Sequence, residues 1–274
     1  MVLLSGEGGK GRAGDMVPVA PILNYQVAAL PPKDCVAALR DRITQGRGDN
    51  GSPFWLACLN PHSVRMAMTD PEAAAALKAA DVLVPDGVGI VIASRVLGGG
   101  IQERITGSDV FRELSVALNE FGKASYFFLG SKESTLQAIQ GKLAEDFPRI
   151  RCAGAYSPPF AQTFSDAETR AMIAAVNKAA PDVLWVGMTA PKQEKWIYWN
   201  KNKLNVRFIG AVGAVFDFYT GNVKRSHPWF LDHGLEWLPR LVQEPRRLWS
   251  RTLVSAPVFF WHVLKQKTQS FRQV

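Results

Sequence analysis

At 274 residues, with 47% hydrophobic and 20% charged residues, the chain is long enough to bury a sizeable core and too apolar for a disordered protein. Its three cysteines, Cys35, Cys58 and Cys152, are far apart and form no CxxC pair, which argues against a structural zinc site or a disulfide framework and fits a reducing compartment. The formal net charge of +8 is uneven, with nine Lys/Arg against three Asp/Glu from Asn222 onward, so the C-terminal part is expected to meet an anionic partner.

Residues 1–16 are glycine-rich and lack the apolar core of a signal peptide, and they read as a disordered lead-in. Residues 20–30 read as extended, and 32–45 as an amphipathic helix with Val36, Leu39 and Ile43 inward. A polar loop leads to a buried strand over 54–59, which Asn60-Pro61 breaks into a helix that includes 64–68. A second short helix over 71–80 begins with a proline, where the missing N–H costs nothing. Residues 82–91 then read as strand, tight turn and helix start, with Asp86 at the strand end and Gly87 and Gly89 allowing close backbone approach. Asp86 either serves chemistry there or caps the helix.

Thr106-Gly107-Ser108-Asp109 suits the cap and first turn of a helix over 110–121. Strands at 124–129, 152–155, 183–186 and 206–212 alternate with helices at 132–147, 166–179 and 193–201. This alternation predicts an α/β fold with a doubly wound, mostly parallel, Rossmann-like sheet over 17–225. From about 226 to 274 the texture changes to helices rich in Trp and Arg, read as a helical C-terminal appendage. No run reaches the roughly 18 apolar residues of a membrane-spanning helix.

The strand exits 58–61, 85–87, 130–132, 187–193 and 210–213 combine small and polar residues. That composition suits a nucleotide or sugar phosphate, whose anionic oxygens are taken by backbone N–H groups at helix starts. No GxGxxG opens a predicted helix and no GxxxxGK[ST] occurs, which weakens a dinucleotide oxidoreductase and a P-loop ATPase. No DxD-like pair stands at a strand end to hold a divalent ion, and His62, His227, His233 and His262 show no metal spacing. A diphosphate would then be neutralised by basic side chains, with Lys192, Arg104 and the tail arginines as candidates.

Read together, Leu59-Asn60-Pro61, Pro85-Asp86-Gly87-Val88-Gly89, residues 103–109, residues 187–196, residues 210–218 and the block 234–248 stand in an order that resembles the WecG/TagA/CpsF glycosyltransferase family over roughly residues 20–251. The resemblance implies an inverting, metal-independent enzyme of bacterial envelope or exopolysaccharide synthesis, without a cofactor. It would move N-acetylmannosamine, its uronic acid or a related sugar from a UDP donor to a polyprenyl-diphosphate-linked acceptor on the inner face of the cytoplasmic membrane. Carried over by position, Asp86 matches the general base. Asn60, Arg104, Thr106 and Asp109 fall in blocks near the sugar, and Gly187, Lys192, Gln193 and Glu194 in the block near the nucleotide. Asp217 either holds the ribose or caps a turn.

Cys58 stands where the family often has threonine, and a thiol is a weaker donor than a hydroxyl, so the donor sugar is less certain than the fold. Arg240, Arg246, Arg247 and Arg251, beside Trp237, Trp249 and an apolar run, suit phosphate and a lipid surface. The expected partners are therefore a UDP-sugar, the lipid-linked acceptor and the cytoplasmic membrane surface, with peripheral attachment and no nucleic acid; a homo-oligomer is left open. The competing readings are transfer of glucuronate or another hexose, a nucleotide-dependent oxidoreductase, and a non-enzymatic binding module.

Overall fold

Runs such as Phe54–Leu59 and Val183–Gly187 are almost wholly apolar, as strands covered on both faces should be, and both lie inside the main sheet. The structure is a computed structural model that describes residues 2–3, 16–46, 51–223 and 254–271. In chain order the elements are β1 (Val2–Leu3), β2 (Met16–Val17), β3 (Val19–Ile22), β4 (Tyr25–Ala28), α1 (Pro32–Thr44), β5 (Phe54–Leu59), α2 (Pro61–Thr69), α3 (Pro71–Lys78), β6 (Val82–Pro85) and α4 (Val88–Leu97). They continue as α5 (Gly107–Phe121), β7 (Ser125–Gly130), α6 (Glu133–Asp146), β8 (Arg151–Tyr156), α7 (Asp166–Ala179), β9 (Val183–Gly187), α8 (Lys192–Asn200), β10 (Phe208–Ala211), α9 (Val215–Tyr219) and α10 (Ser255–Phe271).

Eight strands form one sheet in the order β3-β4-β6-β5-β10-β9-β7-β8, while β1 and β2 pair separately as a short antiparallel ribbon. Every neighbouring pair in the large sheet is parallel except β3–β4. The expected doubly wound parallel sheet is therefore what the chain forms. The stretch 20–30 is not one extended segment, however: it folds back at Leu23-Asn24 into a hairpin, with Leu23 in the left-handed region at φ 54°.

Successive side chains of each strand point to opposite faces, and two cores result. Trp55, Ala57, Leu59, Leu184, Val186 and Ile209 face a layer made by α2, α3, α4, α7, α8 and α10. Phe54, Leu56, Val183, Trp185 and Phe208 face α1, α5, α6 and α9. At the carboxyl end of the sheet, β5 leads into α2 on the first face, while its neighbour β10 leads into α9 on the second. Chains leaving adjacent parallel strands to opposite faces open a crevice between them, which is where α/β sheets bind ligands.

α10 docks on α2 and α4. Phe259 and Val263 are fully buried, each worth about 1.5–3 kcal/mol of apolar burial. Gln266 Oε1 accepts from the Leu23 N–H at 2.8 Å, fastening the helix to the β3–β4 turn. The tail arginines Arg240, Arg246, Arg247 and Arg251 lie outside the described residues, as does most of the expected appendage.

Candidate active site

The site is built where β5 and β6 end in register, Leu59 opposite Pro85. The Asp86 N–H continues the pairing by donating to the Leu59 carbonyl at 2.8 Å, so the carboxylate and Asn60 emerge side by side. Asn60 uses its amide twice. Its Oδ1 caps α2, accepting from the N–H groups of His62 at 3.1 Å and Ser63 at 2.9 Å, and its Nδ2 donates to Asp86 Oδ2 at 3.0 Å. Ser63 Oγ closes the capping box by accepting from the Asn60 N–H.

Gly87, at φ 94°, turns the chain from β6 into α4, a conformation that an L side chain resists. A Cβ on Gly89 would sit 2.7 Å from Pro61 Cγ, so the first turns of α2 and α4 touch beside Asp86. From the other side, the Ile105 N–H donates to the Pro85 carbonyl at 2.9 Å. That bond brings half-buried Arg104 and Thr106 to the same strand end. Thr106 and Asp109 form the capping box of α5: Asp109 Oδ2 accepts from the Thr106 hydroxyl at 2.7 Å and its N–H at 3.1 Å. The first turn of α5 then packs on the crevice floor, with Gly107 against Cys58, Val212 and Val215.

Cys58 sits in the middle of this group. Burial pushes its thiol well above the ordinary range, and the charges of Asp86, Glu194 and Asp109 push it further.

The loops after β9 and β10 are joined by Gln193. Its Oε1 accepts from the N–H groups of Met188 and Gly213, each at 3.2 Å, and its Nε2 donates to Glu194 Oε1 at 2.8 Å. Gly187, beside this loop, packs so closely on the ring of Phe216 that a side chain there would collide with it. Glu194 is buried and its carboxyl is pushed up by desolvation. Lys192 is held by the loop after β8: its Nζ donates to the Ala161 carbonyl at 2.7 Å and lies 4.8 Å from the Phe164 ring centroid. Asp217 lies in the first turn of α9, half-buried, and its backbone carbonyl accepts from the Val223 N–H at 3.1 Å. Among the described residues, no group of three or more His, Cys, Asp or Glu is placed to hold a metal ion.

One contact has no local signal in the sequence. His62 Nδ1 and Ser255 Oγ are 3.0 Å apart, tying the start of α10 to the residue next but one after Asn60.

The open, mostly parallel sheet, with a crevice at the carboxyl ends of β5 and β10 and the Asn60–Asp86 pair beside it, defines an α/β protein of the class that binds ligands at such crevices. The chain belongs to the Glycosyl transferase WecG/TagA/CpsF family, whose model it matches over residues 20–273. It is 32% identical over 213 residues to an N-acetylglucosaminyldiphosphoundecaprenol N-acetyl-beta-D-mannosaminyltransferase of Bacillus subtilis (strain 168), covering 77% of this chain and 79% of that relative. Proteins of the same name from Bacillus spizizenii and Staphylococcus aureus (strain MW2) are 31% identical over 222 residues and 27% over 214, covering 81% and 78% of this chain and 83% and 81% of theirs.

Proposed function

We propose that this glycosyltransferase moves N-acetylmannosamine, or a closely related sugar, from a UDP donor to a polyprenyl-diphosphate-linked saccharide. The observation that carries the reading is the Asn60–Asp86 pair at the crevice edge, in a chain whose relatives bear the mannosaminyltransferase name. Asn60 fixes the orientation of the Asp86 carboxylate, so that a carboxylate oxygen takes the proton of the acceptor hydroxyl as that oxygen attacks the anomeric carbon. The new C–O bond forms while the bond to the UDP diphosphate breaks, its electron pair leaving with the diphosphate, and the configuration inverts. General-base assistance of this kind contributes about 10²- to 10⁴-fold.

The departing charge needs cations or N–H donors in place of a divalent ion. Arg104 stands beside the end of β6, and the N-termini of α2, α4 and α5 bring their partial positive charge to the same edge. Arg251 is four residues from Ser255 in the chain, a span of at most about 14 Å, and Ser255 touches His62. The tail arginines, which lie outside the described residues, are proposed to supply the remaining positive charge. Gly187, Gln193, Glu194 and Asp217 flank the nucleotide end of the crevice, and Lys192 braces the loop after β8.

No helix among the described residues is long and apolar enough to cross a membrane. Peripheral attachment to the lipid that carries the acceptor is supported by α4 and α10, which pack together and leave Val88, Ile92, Trp261 and Leu264 exposed beside Lys265.

The test is a donor panel. Purified protein, a polyprenyl-diphosphate-linked N-acetylglucosamine acceptor and single UDP-sugars are incubated with excess EDTA, and UDP release is measured. Release with UDP-N-acetylmannosamine is expected; release with another donor alone moves the sugar assignment, and release with none overturns the reading.

A further inference from the structure

Gln193 is the buried amide for which the proposed chemistry names no task. It stands in the first turn of α8 with 4% of its surface exposed. Its Oε1 accepts from the N–H of Met188, the first residue after β9, and from the N–H of Gly213, two residues after β10. Two acceptances fill both lone pairs of an amide oxygen. Its Nε2 donates to Glu194 Oε1, so the amide is held at three points. β9 and β10 are neighbours in the sheet, and one oxygen therefore sets the spacing of their two exit loops. The effect extends toward the sugar end: Gly107, which opens α5 beside the Thr106–Asp109 box, packs on Val212, the residue before Gly213.

We propose that Gln193 is a positioning residue: it holds the loops after β9 and β10 at the spacing the donor nucleotide needs, through the Met188 and Gly213 backbone and not by contact with the nucleotide. The proposal rests on the UDP-sugar transfer put forward above. The amide nitrogen keeps a second N–H, so contact with the nucleotide is the rival role, and Gln193→Glu separates the two. That variant keeps both acceptances by Oε1 but faces Glu194 with an oxygen that must carry a proton to donate. Two adjoining buried carboxyls share one proton and resist losing it, and burial already pushes the Glu194 carboxyl up. Of the other titratable groups near the pair, Cys58 on β5 lies within reach of the Glu194 charge, and His62 on α2 lines the same small cleft as Glu194. Lys192 and Lys195, its neighbours on α8, are engaged by the Ala161 carbonyl and by Asp70 and Glu72.

The test is calorimetric binding of UDP to the full chain at about pH 6 and about pH 8.5, each affinity taken relative to the wild type at the same pH, with steady-state UDP release beside it. Gln193→Met keeps the length and loses both acceptances, leaving two N–H groups without their partner. It should weaken UDP binding and raise the donor KM at least tenfold while kcat changes by less than about threefold, because Asp86 follows β6, outside the brace. Gln193→Glu should bind UDP within about threefold of the wild type at the lower pH, where the pair holds its proton, and at least tenfold more weakly at the higher pH, where the pair loses it. A relative affinity of Gln193→Glu that does not change with pH, or a Gln193→Met that binds UDP as the wild type does, overturns the positioning role and leaves UDP-sugar transfer standing. Should Gln193→Met fail to fold, Gln193→Glu at the two pH values decides alone. Failure of the wild type to bind UDP overturns the transferase reading, and the positioning role with it.

Discussion

Asn60 Nδ2 donates to Asp86 Oδ2 at 3.0 Å while Asn60 Oδ1 caps α2, so one amide couples a helix start to the carboxylate at the neighbouring strand end. The two functions separate by mutation. Asn60→Ala loses both and should cost about 1 kcal/mol of stability, a fall of roughly 2–4 °C in melting temperature for a chain of this size, together with at least a tenfold loss of turnover. Asn60→Asp keeps a capping oxygen but sets a carboxylate against Asp86; it should hold the melting temperature and lose activity. Differential scanning fluorimetry beside UDP release checks both.

The close approach of β7 and β9 at the crevice sets a second expectation. Gly130 has φ 109°, and a Cβ there would lie 2.5 Å from the Gly187 carbonyl oxygen, a backbone atom that cannot swing aside. Gly130→Ala should therefore destabilise by about 1–3 kcal/mol, read as a lower urea midpoint. A variant as stable as the wild type would show that the two loops are not held as described.

Much of this fold is legible in the sequence because its causes are local. The apolar run 54–59, the proline-started helices and the Thr106 cap are written in consecutive residues, and the helix expected over 166–179 forms with those bounds. The place of Asp86 at a strand end is legible because an apolar run, a proline, a carboxylate and a glycine stand together. What escapes a reading of the sequence depends on register or long range. The Asn60–Asp86 bond needs β5 and β6 aligned, and the His62–Ser255 contact joins residues 193 apart. The hairpin at Leu23-Asn24 lacks a glycine to announce it, and the five-residue α9 is too short for a helical period. The direction of Lys192 is set by Ala161 and Phe164 on another loop, which no neighbour in sequence signals.

Alkaline pH should reveal the buried thiols. Burial pushes Cys35 from 9.0 up to about 12. Its native state therefore holds the proton more tightly than the unfolded chain, and the associated stability is complete below about pH 9. As pH rises from there toward about 12 the unfolded thiol ionises first, and unfolding becomes easier by up to about 1.4 kcal/mol per pH unit. Urea midpoints at pH 8.5 and 10.5 should fall more steeply for the wild type than for Cys35→Ala; equal slopes would remove this account of the thiol.

The proposed membrane attachment through α4 and α10 predicts a surface phenotype without a folding one. Trp261 is 68% exposed and Leu264 54%, so Trp261→Glu with Leu264→Glu should leave the melting temperature within about 2 °C, since exposed positions contribute little to stability. Co-sedimentation with vesicles containing anionic phospholipid should drop at least fivefold. Undiminished binding would contradict attachment through α4 and α10.

The role of Asp86 as general base is tested most directly by UDP release from Asp86→Asn in the presence of EDTA, with UDP affinity measured in parallel. The substitution keeps the shape and removes the base, so turnover should fall by about 10²-fold or more while UDP binds within about threefold of the wild type. Turnover near the wild-type rate would contradict the assignment of Asp86 and, with it, the mechanism proposed for this crevice.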